Sequence, residues 1–376
     1  MRGTDIRLCI DAVPLLVRSA GVKNYLYHWI SSLRSICGDD HVKLFPFLHE
    51  LGALDHEHSI ANSSLTLARL AFLHLLNQRE NHVLDYFPPR TDIFHVSKLL
   101  NPPARCRVTA TLHDATCWRF PEFHTAANVK AERHFAARIL QRAAGVIAVS
   151  EHTREDGVNV IGLNPDRIQV IYPGIPEHYF HVDAAQAQDV RQHYDLSRDY
   201  ILYVGTIEPR KNLARLLDAY EALPTSLLDQ YSMVIAGLSG WASEEVVRRI
   251  EARPRGVRYL GYVPEASMPG LFAGATVLAY PSIYEGFGFP VAQAMAAGTP
   301  VLTSYGSSLS EIAGEAAELV NPLSPAEITA GLERLLTSPS RRTELSAAGR
   351  VRAARFRWEC CARHSLQFFE SVMGRC

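Results

Sequence analysis

The chain lacks any surplus of charge. Its 38 Lys and Arg stand against 39 Asp and Glu, for a net charge of −1. No global field of that size recruits a polyanion, so nucleic acid is excluded as a partner held by bulk electrostatics, and any anion binding must be local. The seven cysteines (Cys9, Cys37, Cys106, Cys117, Cys360, Cys361 and Cys376) are odd in number and form no C-x-x-C pair. That pattern excludes a disulfide framework and a cysteine zinc site, and leads us to expect reduced thiols in a cytoplasmic protein. The longest apolar stretch, "LTLARLAFLHLL" at 65–76, is too short to span a bilayer and carries Arg69 and His74. It reads as a core or interface helix, with contact at a membrane surface as the alternative. No signal-like apolar region precedes the first strand, "IRLCIDAV". The sequence shows no internal repeat, no low-complexity tract and no D-x-D.

What is there is alternation. Short β-rich runs are expected as strands at 6–13, 42–48, 91–97, 107–113, 145–150 and 168–172, with helices at 22–36, 64–77, 126–144 and 151–161 between them. "IYPGIPEHYF" at 171–180 interrupts the pattern with two prolines and a glycine, and the polar segment 181–198 reads as a linker with a short helix. A second series of strands is expected at 200–206, 231–237, 257–262, 276–281, 299–304 and 317–321, and helices close the chain from 324 onward. Such alternation implies parallel sheets covered by helices on both faces. At roughly 150 residues per domain, 376 residues make two. The fold class expected is therefore α/β with two doubly wound, Rossmann-like domains facing each other. Ligands of such sheets bind beyond the carboxyl ends of the strands, so the residues there carry the functional reading.

In "VGTIEPRKNL" (204–213), Gly205 ends a strand and Arg210 and Lys211 stand where a helix begins. Two cations beside free helix amides make an anion site, and the alternative is a solvated basic pair. In "YEGFGFPVAQAMAAGTPV" (284–301), Gly286 and Gly288 admit close backbone approach, and Glu285 can accept hydrogen bonds from sugar hydroxyls. In "TSYGSSLSEIAG" (303–314), the amides of Ser307 and Ser308 can cradle a diphosphate, while Ser308 followed by Glu311 also fits a capping box. In the first half, "VTATLHDATCW" (108–118) sets His113 and Asp114 at a strand end, where a histidine can bond a hydroxyl or shuttle a proton. Gly21, in "RSAGVKNYL" (18–26), opens a helix after the first strand. By composition "HELGALDHEH" (49–58), with His56 and His58, is the best metal candidate, and it reads as a solvated loop. The helix at 128–144 mixes Lys130, Arg133, Arg138 and Arg142 with apolar residues, an ordinary amphipathic helix with lipid head groups as the minority reading.

With these residues assembled, the chain resembles the retaining glycosyltransferases of the family-four type, which have the GT-B fold. "YEGFGFPVAQAMAAGTPV" resembles that family's E-x7-E segment, "GTIEPRKN" its phosphate-binding loop and "TLHD" its first-domain histidine. "VSEHTREDG" and "VIYPGI" resemble its run into the linker, and "RFRWEC" (355–360) the point where the last helix crosses back to the first domain. The resemblance implies an acceptor-side domain at 1–177 joined by a crossover helix at about 358–376, and a nucleotide-sugar domain at 178–357. It implies Glu285 against the donor sugar, Arg210 and Lys211 on the diphosphate, His113 beside the transferred sugar, and Gly21 near the diphosphate or acceptor. It implies further donor contacts from Gly205, Thr206, Gly286, Phe287, Gly288, Ser307, Ser308 and position 293.

Two positions depart from the family's pattern. The second glutamate is Gln293, so an amide is expected to face the nucleotide ribose and to bind the donor about 5–10-fold more weakly than a carboxylate. Lys23 stands where many relatives carry a second glycine, adding a phosphate contact or narrowing the acceptor path. The reaction implied is transfer of a hexose, mannose from GDP-mannose being favoured, to a hydroxyl of a glycan or lipid-linked acceptor, with retention and with neither cofactor nor metal. A non-catalytic sugar-nucleotide-binding subunit, or a phosphorylase-like or epimerase-like enzyme, stands as the alternative. Peripheral contact with the inner membrane surface is compatible with either.

Overall fold

Strands of three to six residues, most of them buried and aliphatic, build two six-stranded sheets in which every strand pair is parallel. The structure, a computed structural model, describes residues 6–17, 21–46, 48, 51–52, 54, 63–78, 91–252 and 254–374. The metal candidate, with His56 and His58, therefore lies outside the described residues, as does the turn 18–20 before Gly21.

The first sheet comprises β1 (Leu8–Asp11), β2 (Val42–Phe45), β3 (Ile93–Val96), β4 (Arg107–Leu112), β5 (Gly145–Ala148) and β6 (Ile168–Val170), in the order β2-β1-β3-β4-β5-β6. The second comprises β7 (Asp199–Val204), β8 (Tyr231–Ala236), β9 (Val257–Gly261), β10 (Val277–Tyr280), β11 (Val301–Ser304) and β12 (Glu318–Val320), in the order β12-β11-β10-β7-β8-β9. Each run expected as a strand forms one, trimmed by one to three residues at most ends, because the ladder stops before the apolar stretch does. In each order the direction of travel reverses once, between β1 and β3 and between β7 and β10. Loops diverge there and leave the crevice in which ligands of such sheets bind.

The chain divides into two compact units, Met1–Gly174 with Trp358–Cys376, and Ile175–Arg357. In the first unit, the last helix, Trp358–Gly374, packs on helix Gly21–Cys37. Trp29 Nε1 donates to Ser365 Oγ at 2.9 Å, and the Tyr25 and Trp358 rings meet at 5.7 Å. Arg107 donates to the Val372 carbonyl at 2.6 Å. Gly145 at the start of β5 lies so close to Phe368 and Val372 that a Cβ there would sit 2.7 Å from either.

One segment differs from expectation. The short helix expected within 181–198 forms at Ala184–His193, closed at its start by a capping box between Asp183 and Gln186, but the segment is not a free linker: the helix packs on helix Met268–Ala273 inside the second unit. Its contact is made through small groups. Ala187 is its buried residue, and a Cβ on Gly270 would meet the Gln186 carbonyl at 2.7 Å.

Candidate functional site

The loops after β7 and β10 meet at the point where the second sheet reverses, and they bring three of the expected residues into one cluster. Arg210 is the middle residue of the short turn Pro209–Lys211, and Lys211 ends it. Arg210 Nη1 lies 2.7 Å from Glu285 Oε2 and also donates to the Tyr284 carbonyl at 2.6 Å. Its Nη2 donates to Glu208 Oε1 at 2.6 Å. Lys211 Nζ reaches Glu285 Oε1 at 3.1 Å and the Tyr280 hydroxyl at 2.5 Å. Tyr280 and Ser282 donate to the same Oε1 at 2.7 and 3.0 Å. Burial alone would raise the Glu285 carboxyl, but Arg210, then Lys211, then the Tyr280 hydroxyl outweigh it and hold the pKa at about 2.

The backbone explains how the cluster is placed. At Gly205, φ is +147°, and a Cβ would sit 3.1 Å from Lys211 Cδ, so the lysine stem runs over the glycine. Asn212 takes a left-handed turn at φ 62° and donates to the carbonyls of Pro281 and Pro322 at 2.9 and 2.6 Å, tying the end of the loop to that after β10. Gly288, at φ +94°, precedes helix Phe289–Ala297, and a Cβ there would meet Leu309 at 2.5 Å. The Phe287 side chain is committed to packing, with ring contacts to Phe289 at 5.1 Å and Phe356 at 5.5 Å. Only its backbone is left to serve a ligand. Ser308 does not form the capping box expected with Glu311. Helix Ser307–Ala313 follows Gly306 without a side-chain cap, and the Ser308 hydroxyl instead donates to the Glu285 carbonyl at 2.8 Å. Ser307 sits beside it at φ 49°. Gln293 lies on helix Phe289–Ala297 with 6% of its surface exposed.

The electrostatics differ from the sequence reading in one respect. Arg210 and Lys211 do not stand as an unpaired basic pair, since Glu208 and Glu285 give the cluster two carboxylates against its two cations. The cluster therefore presents paired cations rather than bare ones.

His113 and Gly21 belong to the first unit. His113 follows β4, and Tyr25 from helix Gly21–Cys37 abuts its ring edge-on at 5.0 Å. Burial is the main cause that lowers the His113 pKa to about 4, so the imidazole is neutral at physiological pH. Lys23 is wholly buried. The sequence reading also missed Asp11, the last residue of β1. One of its oxygens accepts the amides of Ser97, Lys98 and Leu99 at 3.0, 2.6 and 2.8 Å, and the other that of Val13 at 3.1 Å. A buried carboxylate thus fixes the loop after β3 at the reversal point of the first sheet. An acid ending an otherwise apolar strand, "LCID", was the available signal. Tyr280 and Ser282 were missed too, because the reading began at Tyr284 and not at the strand end four residues earlier. Among the described residues, no group of three or more His, Cys, Asp or Glu is placed to hold a metal.

The chain is similar to known proteins in both halves. Residues 186–352 match the family described as "Glycosyl transferases group 1" and residues 47–179 match "Glycosyltransferase Family 4". The chain is 32% identical over 281 residues to O-antigen chain mannosyltransferase B of Escherichia coli, spanning 74% of each chain. It is 28% identical to the serotype-specific mannosyltransferase WbdA of E. coli over 62% of this chain and 29% of that protein. Among solved structures, HepE of Anabaena with UDP-glucose superposes with a TM-score of 0.73 at 18% identity, over 97% of this chain and 99% of HepE. WaaG, a glycosyltransferase of lipopolysaccharide biosynthesis, gives 0.69 at 16% identity over 98% of this chain and all of that one. At those identities the superpositions speak for the fold. Family matches in both halves, a relative at 32% identity and a charged cluster where the second sheet reverses converge on one assignment: the chain belongs to the family-4 glycosyltransferases, hexose-transferring enzymes of the GT-B fold.

Proposed function

We propose that the chain transfers mannose from GDP-mannose, with retention and without a metal, to a hydroxyl of a glycan or lipid-linked acceptor in surface-polysaccharide assembly. The observation that carries the reading is the Glu285 cluster at the β7–β10 reversal, where an anionic acceptor for sugar hydroxyls and two cations for a diphosphate are held within one hydrogen-bonded network. The preference for mannose rests on similarity to the O-antigen mannosyltransferase and to WbdA. The absence of D-x-D in the sequence supports independence from metal.

The chemistry follows from where charge develops. As the glycosidic bond lengthens, negative charge grows on the leaving diphosphate, and Arg210 and Lys211 turn from their carboxylates to stabilise it. Glu285 is ionised throughout the physiological range, so it acts as a hydrogen-bond acceptor for the sugar and not as an acid. His113, neutral under the same conditions, orients a hydroxyl through one ring nitrogen. In a front-face path a diphosphate oxygen takes the acceptor's proton, which leaves the enzyme without need of a strong base. The acceptor's lipid would bring the enzyme to the cytoplasmic membrane surface. Helix Ser63–Gln78, with Leu75 at 66% exposure, is the contact we propose there.

The test is calorimetric titration with GDP, UDP and dTDP in metal-free buffer, followed by transfer from GDP-mannose with the product's anomeric configuration read by NMR. Selective binding of GDP and a retained anomer with EDTA present are expected. Selective binding of UDP would replace the donor, and failure to bind any of the three would overturn the reading.

A further inference from the structure

The helical run expected at 128–144 mixes four basic residues with apolar ones, and the structure separates them. Lys130 and Arg133 lie on helix Ala126–Phe135. Arg138 lies on the wider turn that follows, Ala136–Leu140, where the Gln141 amide reaches back five residues to the Ala136 carbonyl at 3.0 Å. Such π-turns interrupt the regular helix ladder and recur at functional sites. Arg142 stands just beyond the turn, and the two arginines line one cavity of about 400 Å³ in the first unit.

The rest of the lining is neutral. Pro102, Pro103, Val108 and Ile139 supply apolar walls, and Asn101 a buried amide. No Asp or Glu is among the residues that line the cavity. Arg138 is fixed in place: Nε donates to the Leu100 carbonyl at 3.0 Å and Nη2 to Asn101 Oδ1 at 2.6 Å, and neither of these partners carries a charge. Arg142 is exposed, and its side chain has no hydrogen bond or ion pair among the described residues. Two guanidiniums therefore share a cavity whose walls hold no carboxylate to neutralise them. The loop that bears Leu100 and Asn101 begins at Ser97–Leu99, whose amides Asp11 holds where the first sheet reverses.

We propose that this cavity binds a phosphate monoester whose organic part is apolar. At neutral pH such a group carries close to two negative charges and three terminal oxygens. Each guanidinium can hold two oxygens, so a pair of them matches a phosphate, whereas a carboxylate satisfies only one. The apolar walls take the group esterified to the phosphate, and the volume falls within the range of small-molecule sites, roughly 300–1,000 Å³. The cavity lies in the first unit and the Glu285 cluster in the second, so the proposal stands independently of the donor reading. A soluble metabolite and a lipid head group share this chemistry, and the length of the apolar part separates them.

The experiment is calorimetric titration of the full chain with inorganic phosphate, phenyl phosphate and decyl phosphate. Wild type, Arg142→Ala, Arg142→Lys and Lys211→Ala are compared. Wild type is expected to bind phenyl phosphate about tenfold more tightly than inorganic phosphate, because the ring is withdrawn from water. Arg142→Ala is expected to weaken binding of the esters about tenfold, and Arg142→Lys to weaken it less. Arg142 has no partner in the fold to lose, so neither substitution is expected to disturb folding. Lys211→Ala, at the donor cluster, is expected to leave ester binding unchanged. Decyl phosphate bound at least tenfold more tightly than phenyl phosphate, and weakened by Arg142→Ala, upholds the site with a lipid as its source. Equal affinity for the two esters upholds it with a soluble source. The proposal is overturned if neither ester binds below about 5 mM. It is equally overturned if Arg142→Ala leaves the affinity unmoved, or if inorganic phosphate binds as tightly as the esters. Loss of binding in Lys211→Ala would place the phosphate at the donor cluster and overturn it as well.

Discussion

At the scale of single residues, Glu285 and His113 are pulled in opposite directions from their ordinary ranges. Glu285 is held at about 2, well below the ordinary glutamate value of 4.5, so its ionised form belongs to the folded state. The stability this confers is present above the unfolded pKa and is lost as pH falls toward 2. It amounts to something on the order of 3 kcal/mol when fully expressed. Glu285→Gln is therefore expected to lower stability by about 3 kcal/mol at pH 7, since it leaves Lys211 and part of Arg210 uncompensated in a buried setting. It should also flatten the decline in stability between pH 5 and 2. Urea denaturation of both proteins across that range checks it, and parallel pH curves would contradict it. His113, lowered by burial to about 4, should show no protonation near 6.5 in its imidazole NMR signals and should titrate nearer 4. A midpoint near 6.5 would return it to the role of an ordinary exposed histidine.

At the scale of elements, the loop bearing Arg210 and Lys211 depends on a crossing of two glycines. Gly237, just after β8, takes φ +144°, and a Cβ on it would lie 2.0 Å from the Gly205 carbonyl oxygen. Gly237→Ala must push the loop after β7 away, so it should cost about 2 kcal/mol or more and weaken nucleotide binding as well. Melting and calorimetry on the same preparation check both parts; a loss of stability with unchanged affinity would show that the loop moves without its cations. The strands were legible in the sequence because most are apolar runs closed by a glycine, a proline or a polar group. Helix Ala184–His193 was legible as a short helix but its docking was not, because it packs through Ala187 and a backbone carbonyl facing Gly270 and so leaves no apolar stripe. Ser308 was misread for a related reason. A serine three residues before a glutamate signals a cap, yet burial beside Glu285 gave its hydroxyl a nearer partner. The charged residues of the candidate site were chosen from position alone. Their pairing with one another was not, since sequence does not show which strand-end loops converge.

At the scale of the whole molecule, the two units carry different parts of the proposed reaction, and the last helix belongs to the first of them. Trp358–Gly374 covers helix Gly21–Cys37, accepts the buried Trp29 N–H at Ser365 and closes over Gly145. Helix Gly21–Cys37 in turn supplies Gly21 and, through Tyr25, the edge that packs on His113. Removing the segment after Arg357 should therefore expose apolar surface on the first unit and unseat both residues, while the Glu285 cluster keeps every hydrogen bond described above, because all of them lie within Ile175–Arg357. A chain ending at Arg357 is expected to lose transfer altogether but to bind the nucleotide within about threefold of the full chain, since sites without shared partners are energetically nearly independent. Calorimetry and a transfer assay on the truncated chain separate the two. Loss of nucleotide affinity together with transfer would mean that the second unit's site depends on the first unit's integrity, and that the units do not divide the binding energy as their separate cores imply.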